Sequence, residues 1–129
     1  MKIAATIARI LLGLVFLAAG LSGFFLINHP PPAPPGLAGE LQDVFFRSRY
    51  MLLVSSVQAV TGLLLLINRY VPLALVALAA VIANILVFHI TMQPAGLPVP
   101  IVVTVLWFIV AWHLRAQFAP LLEPTTSVR

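Results

Sequence analysis

Gln58, Asn84, His89 and Gln93, together with Asn28 and His29, are the side chains with which this apolar chain could do polar chemistry. A carboxamide both donates and accepts hydrogen bonds, and an imidazole does so while also binding metal or moving a proton. Gln58 and Asn84 lie inside long apolar runs, where a polar group out of water needs a partner in the protein or in a ligand. Asn84 and His89 are five residues apart, about 140° around a helix, so a straight helix does not place them on one face. Gln93 is one turn beyond His89, and Asn28 and His29 leave the first apolar run at the same level. An outward-facing pocket follows as one expectation, with Asn28, His29, His89 and Gln93 at its mouth and Asn84 and Gln58 at its floor. The plainer expectation is polar glue, with Gln58 and Asn84 bonded across two antiparallel helices for about 1 kcal/mol or less. Two histidines without a carboxylate or thiolate at ligand spacing do not make a metal set, so no metal site is assigned.

The elements that must position these groups are helices in a bilayer. The chain of 129 residues is 62% hydrophobic and 8% charged, against about a quarter charged in soluble domains. A soluble fold of this size could not hide so much apolar surface, whereas a bilayer takes about 20 apolar residues per helical crossing. The expected fold is all-α, a single four-transmembrane-helix domain over residues 1–129, with spans at about 3–27, 50–67, 71–92 and 98–118. A cleavable signal peptide competes for the first span, with Lys2 and Arg9 as its basic region and Ala18, Ala19 and Gly20 as a cleavage site. The apolar run past Phe24 and Phe25 is long for that role.

Residues 28–36 hold five prolines and stop the first helix. Leu37, Leu41, Val44 and Phe45 then recur at helical spacing opposite Glu40, Gln42 and Asp43. They predict a short amphipathic helix in this first, outer loop, lying on the membrane or capping the bundle. Asn68, Arg69 and Tyr70 break the central run before Pro72, a residue suited to a first helical turn. Turn signals in 93–100 separate the last two spans, and Pro120 and Pro124 end the structure.

Lys2, Arg9, Arg69, Arg115 and Arg129 fall on one side of this arrangement and only Arg47 and Arg49 on the other, which predicts both termini inside. Tyr50, Tyr70 and Trp112 sit near the expected interfaces, and Trp107 lies mid-span. The expected setting is the cell membrane, multi-pass, with the lipid bilayer as first partner and a second copy of the chain as another. Gly13, Gly20 and Gly23 lie with Arg9 and Phe16 along one line of the first helix, a seam for close helix packing, with Arg9 snorkelling to the headgroups. Met51, Ser55, Gln58, Gly62, Leu65 and Arg69 form a similar stripe on the second span. Ala77, Ala80, Asn84, Phe88 and Thr91 share a face of the third.

Cysteine is absent, which excludes disulfides, thiolate metal sites and an internal thiol relay. Nucleotide-binding, zinc-protease and nucleophile-elbow motifs are absent too. Glu40, Asp43 and Glu123 all fall outside the spans, which disfavours a proton-coupled pump. The seven basic residues, giving a net charge of +4, are too scattered for a nucleic-acid surface.

Residues 62–75, GLLLLINRYVPLAL, followed by 82–89, IANILVFH, resemble the core of the DoxX-like family of small four-helix membrane proteins. Residues 8–20 and 111–115 resemble its first and last helices. The chain departs from the family at Gln58, where members often carry an acid, and at Ala80, where they often carry proline. The resemblance implies an accessory or partner subunit in quinone- or thiol-linked redox metabolism, without catalysis by the isolated chain. A quinone is the one cofactor it suggests, contacted by Asn84 and His89. A small-molecule or lipid binder or transporter, and a purely structural assembly module, remain as alternatives.

Overall fold

The structure is a computed structural model that describes residues 1–128; Arg129, counted above among the inner charges, lies outside the described residues. It is all helical. In chain order the elements are α1 (Lys2–Asn28), α2 (Leu37–Arg47), α3 (Met51–Ile67), α4 (Val71–Met92), α5 (Pro98–His113) and α6 (Arg115–Phe118), with 3-10 turns at Pro94–Gly96 and Ala119–Leu122. α1 and α4 are each long and apolar enough to cross a membrane. α2 meets α3 at 85°, and α5 meets the α6 segment at 83°, so the candidate spans number up to four if each bent pair is one span.

Among the described residues α1 and α3 make the most extensive helix–helix contact, and glycines let their backbones approach. A methyl group on Gly62 would run into the Leu17 backbone nitrogen and lie 2.9 Å from the Gly13 carbonyl oxygen. One on Gly20 would lie 2.7 Å from the Ser55 carbonyl oxygen, and one on Gly23 would collide with the Ser55 hydroxyl. Gly13, Gly20, Gly23 and Gly62 therefore all lie in one backbone-to-backbone seam, where dispersion contacts replace the hydrophobic effect that lipid cannot supply. Ala18 and Ala19, expected as part of an alternative cleavage site, fall inside this uninterrupted helix.

Arg9 does not snorkel as expected. Its guanidinium donates to the Leu65 carbonyl and, at 3.4 Å, to the Leu66 carbonyl. Those carbonyls sit at the C-terminal end of α3, where the helix dipole is negative and the last acceptors lack helical partners. Asn68, left-handed at φ 57°, completes that end: its N–H reaches the Leu65 oxygen and the Arg69 N–H the Leu64 oxygen, a Schellman closure. The chain then turns through Tyr70, also left-handed, into α4 with Pro72 in its first turn.

α4 and α5 complete a ring of helices in which α1 touches α3 and α5, and α4 touches α3 and α5. Leu12, Phe16, Leu65, Leu75, Leu78 and Val110 fill its centre. The outward faces are as apolar as the core, with Ile7, Leu14, Leu63, Val87, Val105 and Phe108 exposed, the pattern of a membrane protein rather than of a water-facing bundle.

Two expected boundaries shift. The 98–118 segment is not one straight helix: α5 stops at His113 and the chain bends at Leu114. Leu114 and Phe118 pack against the core, so the bend buries apolar side chains that a straight helix would carry past it. α2 forms over Leu37–Arg47, yet Leu37 and Val44 point outward, and Ala38 and Gly39 are the buried residues. The reason is the proline loop. A methyl group on Gly39 would collide with the Pro34 carbonyl, and Gln42 donates to the Pro31 carbonyl at 3.2 Å. The small face of α2 therefore lies on residues 31–34.

Gly62→Val should lower stability by about 1–3 kcal/mol, the range for overpacking a tight contact. Thermal unfolding in detergent, followed by circular dichroism, reads the shift; an unchanged midpoint would mean that α1 and α3 separate at little cost.

Candidate functional site

α3 and α4 are held together at the Asn68–Tyr70 turn and stand apart at their other ends, residues 50–58 and 80–88. A cavity of about 540 Å³ lies between those ends. From α3 and its first residues come Tyr50, Met51, Leu53, Val54, Val57 and Gln58; from α4 come Ala80, Val81, Asn84, Ile85 and Phe88. α2 closes it from above with Leu41, Gln42, Phe45 and Phe46. The bend after α2 makes this roof, since Arg49 takes a left-handed φ of 63° and turns the chain sharply into α3. Phe45 and Tyr50 stack across the bend with ring centroids 5.2 Å apart.

Three carboxamides interrupt the apolar lining: Gln42 in the roof, its Nε2 given to the Pro31 carbonyl, and Gln58 and Asn84 on the walls, in different states. Asn84 donates from Nδ2 to the Ala80 carbonyl at 2.8 Å, within its own helix. A carbonyl can only accept, so this bond fixes the nitrogen inward and leaves the Asn84 Oδ1 as a free acceptor. Gln58 is 8% exposed and lines the cavity, and its side-chain amide makes no hydrogen bond among the described residues. An amide left unsatisfied in that position costs about 1–3 kcal/mol, and lipid tails offer no bond in place of water. The expected Gln58–Asn84 bond is therefore not formed: the splay of α3 and α4 opens space between the two, and Asn84 turns to its own backbone.

The remaining groups of the expected pocket are distributed elsewhere. His89 donates from Nδ1 to the Ile85 carbonyl at 2.8 Å, which leaves Nε2 as an acceptor. Its ring lies against Gly96, where an added methyl would come within 2.9 Å of Nε2, so it serves the α4–α5 turn. His29 donates to the Phe25 carbonyl at 3.2 Å and stacks on the Phe25 ring at 4.5 Å. Asn28 is exposed at the end of α1, and Gln93 is half-buried at the end of α4, with its backbone oxygen accepting from the Gly96 N–H at 3.1 Å. None of these four lines the cavity. Of the expected mouth and floor only Gln58 and Asn84 line the cavity under the α2 roof, and of these Gln58 is buried whereas Asn84 is exposed. Among the described residues no group of three His, Cys, Asp or Glu could hold a metal.

Several participants escaped the sequence reading. Gln42 and Phe45 belong to the roof, and Tyr50, read as an interfacial anchor, also lines the cavity. The Phe45 signal was present in the amphipathic pattern, but its partner wall on α4 was not. Trp107 donates from Nε1 to the Leu75 carbonyl at 2.9 Å and ties α5 to α4; a mid-span indole was the available clue. Ser55 is fully buried in the α1–α3 seam and its hydroxyl has no partner; its carbonyl faces Gly20 and its hydroxyl faces Gly23.

The difference between a bonded and an unbonded polar group can be measured. Gln58→Leu should leave the unfolding midpoint in detergent unchanged or raised, because no protein bond is lost. Trp107→Phe should lower stability by about 1 kcal/mol through the lost bond to Leu75. A clear fall in Gln58→Leu would restore the polar-glue reading.

No family model matches the chain, and no curated protein or solved structure matches it either.

Proposed function

We propose that this chain is a DoxX-like, multi-pass protein of the cell membrane that binds a neutral amphiphile in the cavity between α3 and α4. One observation carries the reading: the nine-tenths-buried Gln58 amide has no protein partner and faces a cavity of about 540 Å³, a volume within the usual range for small-molecule sites. The lining holds no Asp, Glu, Lys, Arg or His, so an uncharged occupant fits and an ionic one would be stranded. Four spans with both termini inside fit this placement, and put the cavity in the outer half of the bilayer. At 17 and 16 residues, α3 and α5 reach only about 25 Å, short of the roughly 30 Å hydrocarbon core. Exposed Tyr50 and Trp112 near their ends suit the interfaces of a locally thinned membrane.

The cellular context is an accessory or partner subunit beside quinone- or thiol-linked redox enzymes. It rests on the resemblance of residues 62–75 and 82–89 and on the lack of any group in the chain that could carry electrons alone. A quinone is the small molecule that this context supplies to the cavity. Binding, not turnover, is the proposed role of the isolated chain.

Since the chain has no cysteine, single cysteines report topology cleanly. Ala33→Cys should react with a membrane-impermeant maleimide in intact cells, and Tyr70→Cys and Ser127→Cys only after permeabilisation; the reverse pattern would invert the orientation. For binding, Ala80→Trp should fill the cavity and abolish lipid co-purification in native mass spectrometry at an unchanged unfolding midpoint. Equal lipid occupancy in wild type and Ala80→Trp would remove the cavity as the binding site.

A further inference from the structure

The two wall carboxamides, Gln58 and Asn84, make different demands on an occupant, and the difference points to its head. Gln42 in the roof has its Nε2 committed to the Pro31 carbonyl and, like Asn84, has chiefly an acceptor left. Asn84 Nδ2 is already committed to the Ala80 carbonyl, so what Asn84 turns to a ligand is chiefly the acceptor Oδ1. The partner for that oxygen must be a donor. Gln58 lies deeper, with a whole amide free, and its NH2 group can satisfy an acceptor. No ionisable group of either charge lines the space save the Tyr50 phenol, so neither a phosphate nor an ammonium head finds a counter-charge. A cavity of about 540 Å³ holds a small head and the first carbons of its chains, but not a whole membrane lipid. The exposed apolar faces of α3 and α4 beside it, including Leu53 and Val87, let the chains run out into the bilayer.

We infer that the cavity selects an acylglycerol with one free hydroxyl, its hydroxyl donating to Asn84 Oδ1 and an ester carbonyl accepting from the Gln58 amide. This rests on the proposed binding role of the cavity and adds the identity of the head. A diacylglycerol carries the required donor and acceptor on adjacent carbons and no charge. Its 3-O-methyl ether keeps the esters, the chains and nearly the same shape but has no donor. Phosphatidate keeps the chains and the esters and adds the charge that the lining cannot neutralise.

The experiment titrates the full chain in nanodiscs of neutral lipid with dioleoylglycerol, its 3-O-methyl ether and dioleoylphosphatidate, following occupancy by native mass spectrometry. The free hydroxyl should bind about fivefold or more tightly than the ether, the worth of one net hydrogen bond, and phosphatidate should bind more weakly still. In Asn84→Ala the preference of alcohol over ether should fall to about one, while Asn84→Gln restores part of it. Asn84 makes no bond outside its own helix, and a matching unfolding midpoint confirms that the variant is folded. If the two glycerolipids bind equally well and Ala80→Trp blocks both, the cavity binds amphiphiles but the hydroxyl assignment is overturned. Phosphatidate binding as tightly as the alcohol overturns it too. If none of the three responds to Ala80→Trp, the binding reading itself fails.

Discussion

The contact between the α1 and α3 backbones is the constraint on which the rest of the structure depends. Lipid offers helices no hydrophobic drive to associate, so helices that meet in it do so through close packing and hydrogen bonds. Gly13, Gly20 and Gly23 on α1 and Gly62 on α3 remove every side chain that would keep the two backbones apart. Arg9 adds a charged clamp at one end of the seam, where its guanidinium meets the last carbonyls of α3. With α3 fixed to α1 along its length, the Asn68–Tyr70 turn fixes where α4 begins. α4 packs against both α3 and α5, with the Trp107–Leu75 bond tying it to α5, and the cavity lies between its second half and the first half of α3.

That space acquires its character from the roof as much as from its walls. The Pro31 carbonyl accepts from α2 in a loop with few donors of its own, and the small residues Ala38 and Gly39 let the helix lie close against the Pro34 carbonyl. Gln42 ties the two together. The surface ion pair of Arg47 with Asp43 at 2.8 Å adds little by itself, being exposed on both sides. The α2 groups turned to the cavity are Leu41, Gln42, Phe45 and Phe46, none of them charged.

Polar residues of the helices, buried or exposed, divide by whether the backbone can serve them. Thr61, Thr91 and Thr104 return their hydroxyls to carbonyls one turn back in their own helices, as Asn84 and His89 do with their ring or amide nitrogens. Gln58 is different: its longer side chain reaches past its own turn into the cavity, where the protein provides nothing. A ligand that completes this amide would gain a bond that water cannot make there.

Composition alone determined that the helices would be apolar on all sides, and the breaks at Asn68 and Pro72, at the proline loop and at 93–97 marked where they end. α4 falls where the sequence placed it, and the glycine line of α1 did mark the face that meets α3, because small residues at helical spacing permit one kind of contact and little else. The identity of the site was less legible. Periodicity reports which residues share a face of one helix, so it separated Asn84 from His89 correctly, but it carries no information on how far apart two helices stand. Only the tertiary structure decided that α3 and α4 splay, that α2 turns its small face to Pro34, and that Arg9 serves a helix end instead of the headgroups. Each is a contact between segments distant in the chain, set by which surfaces pack most closely in three dimensions.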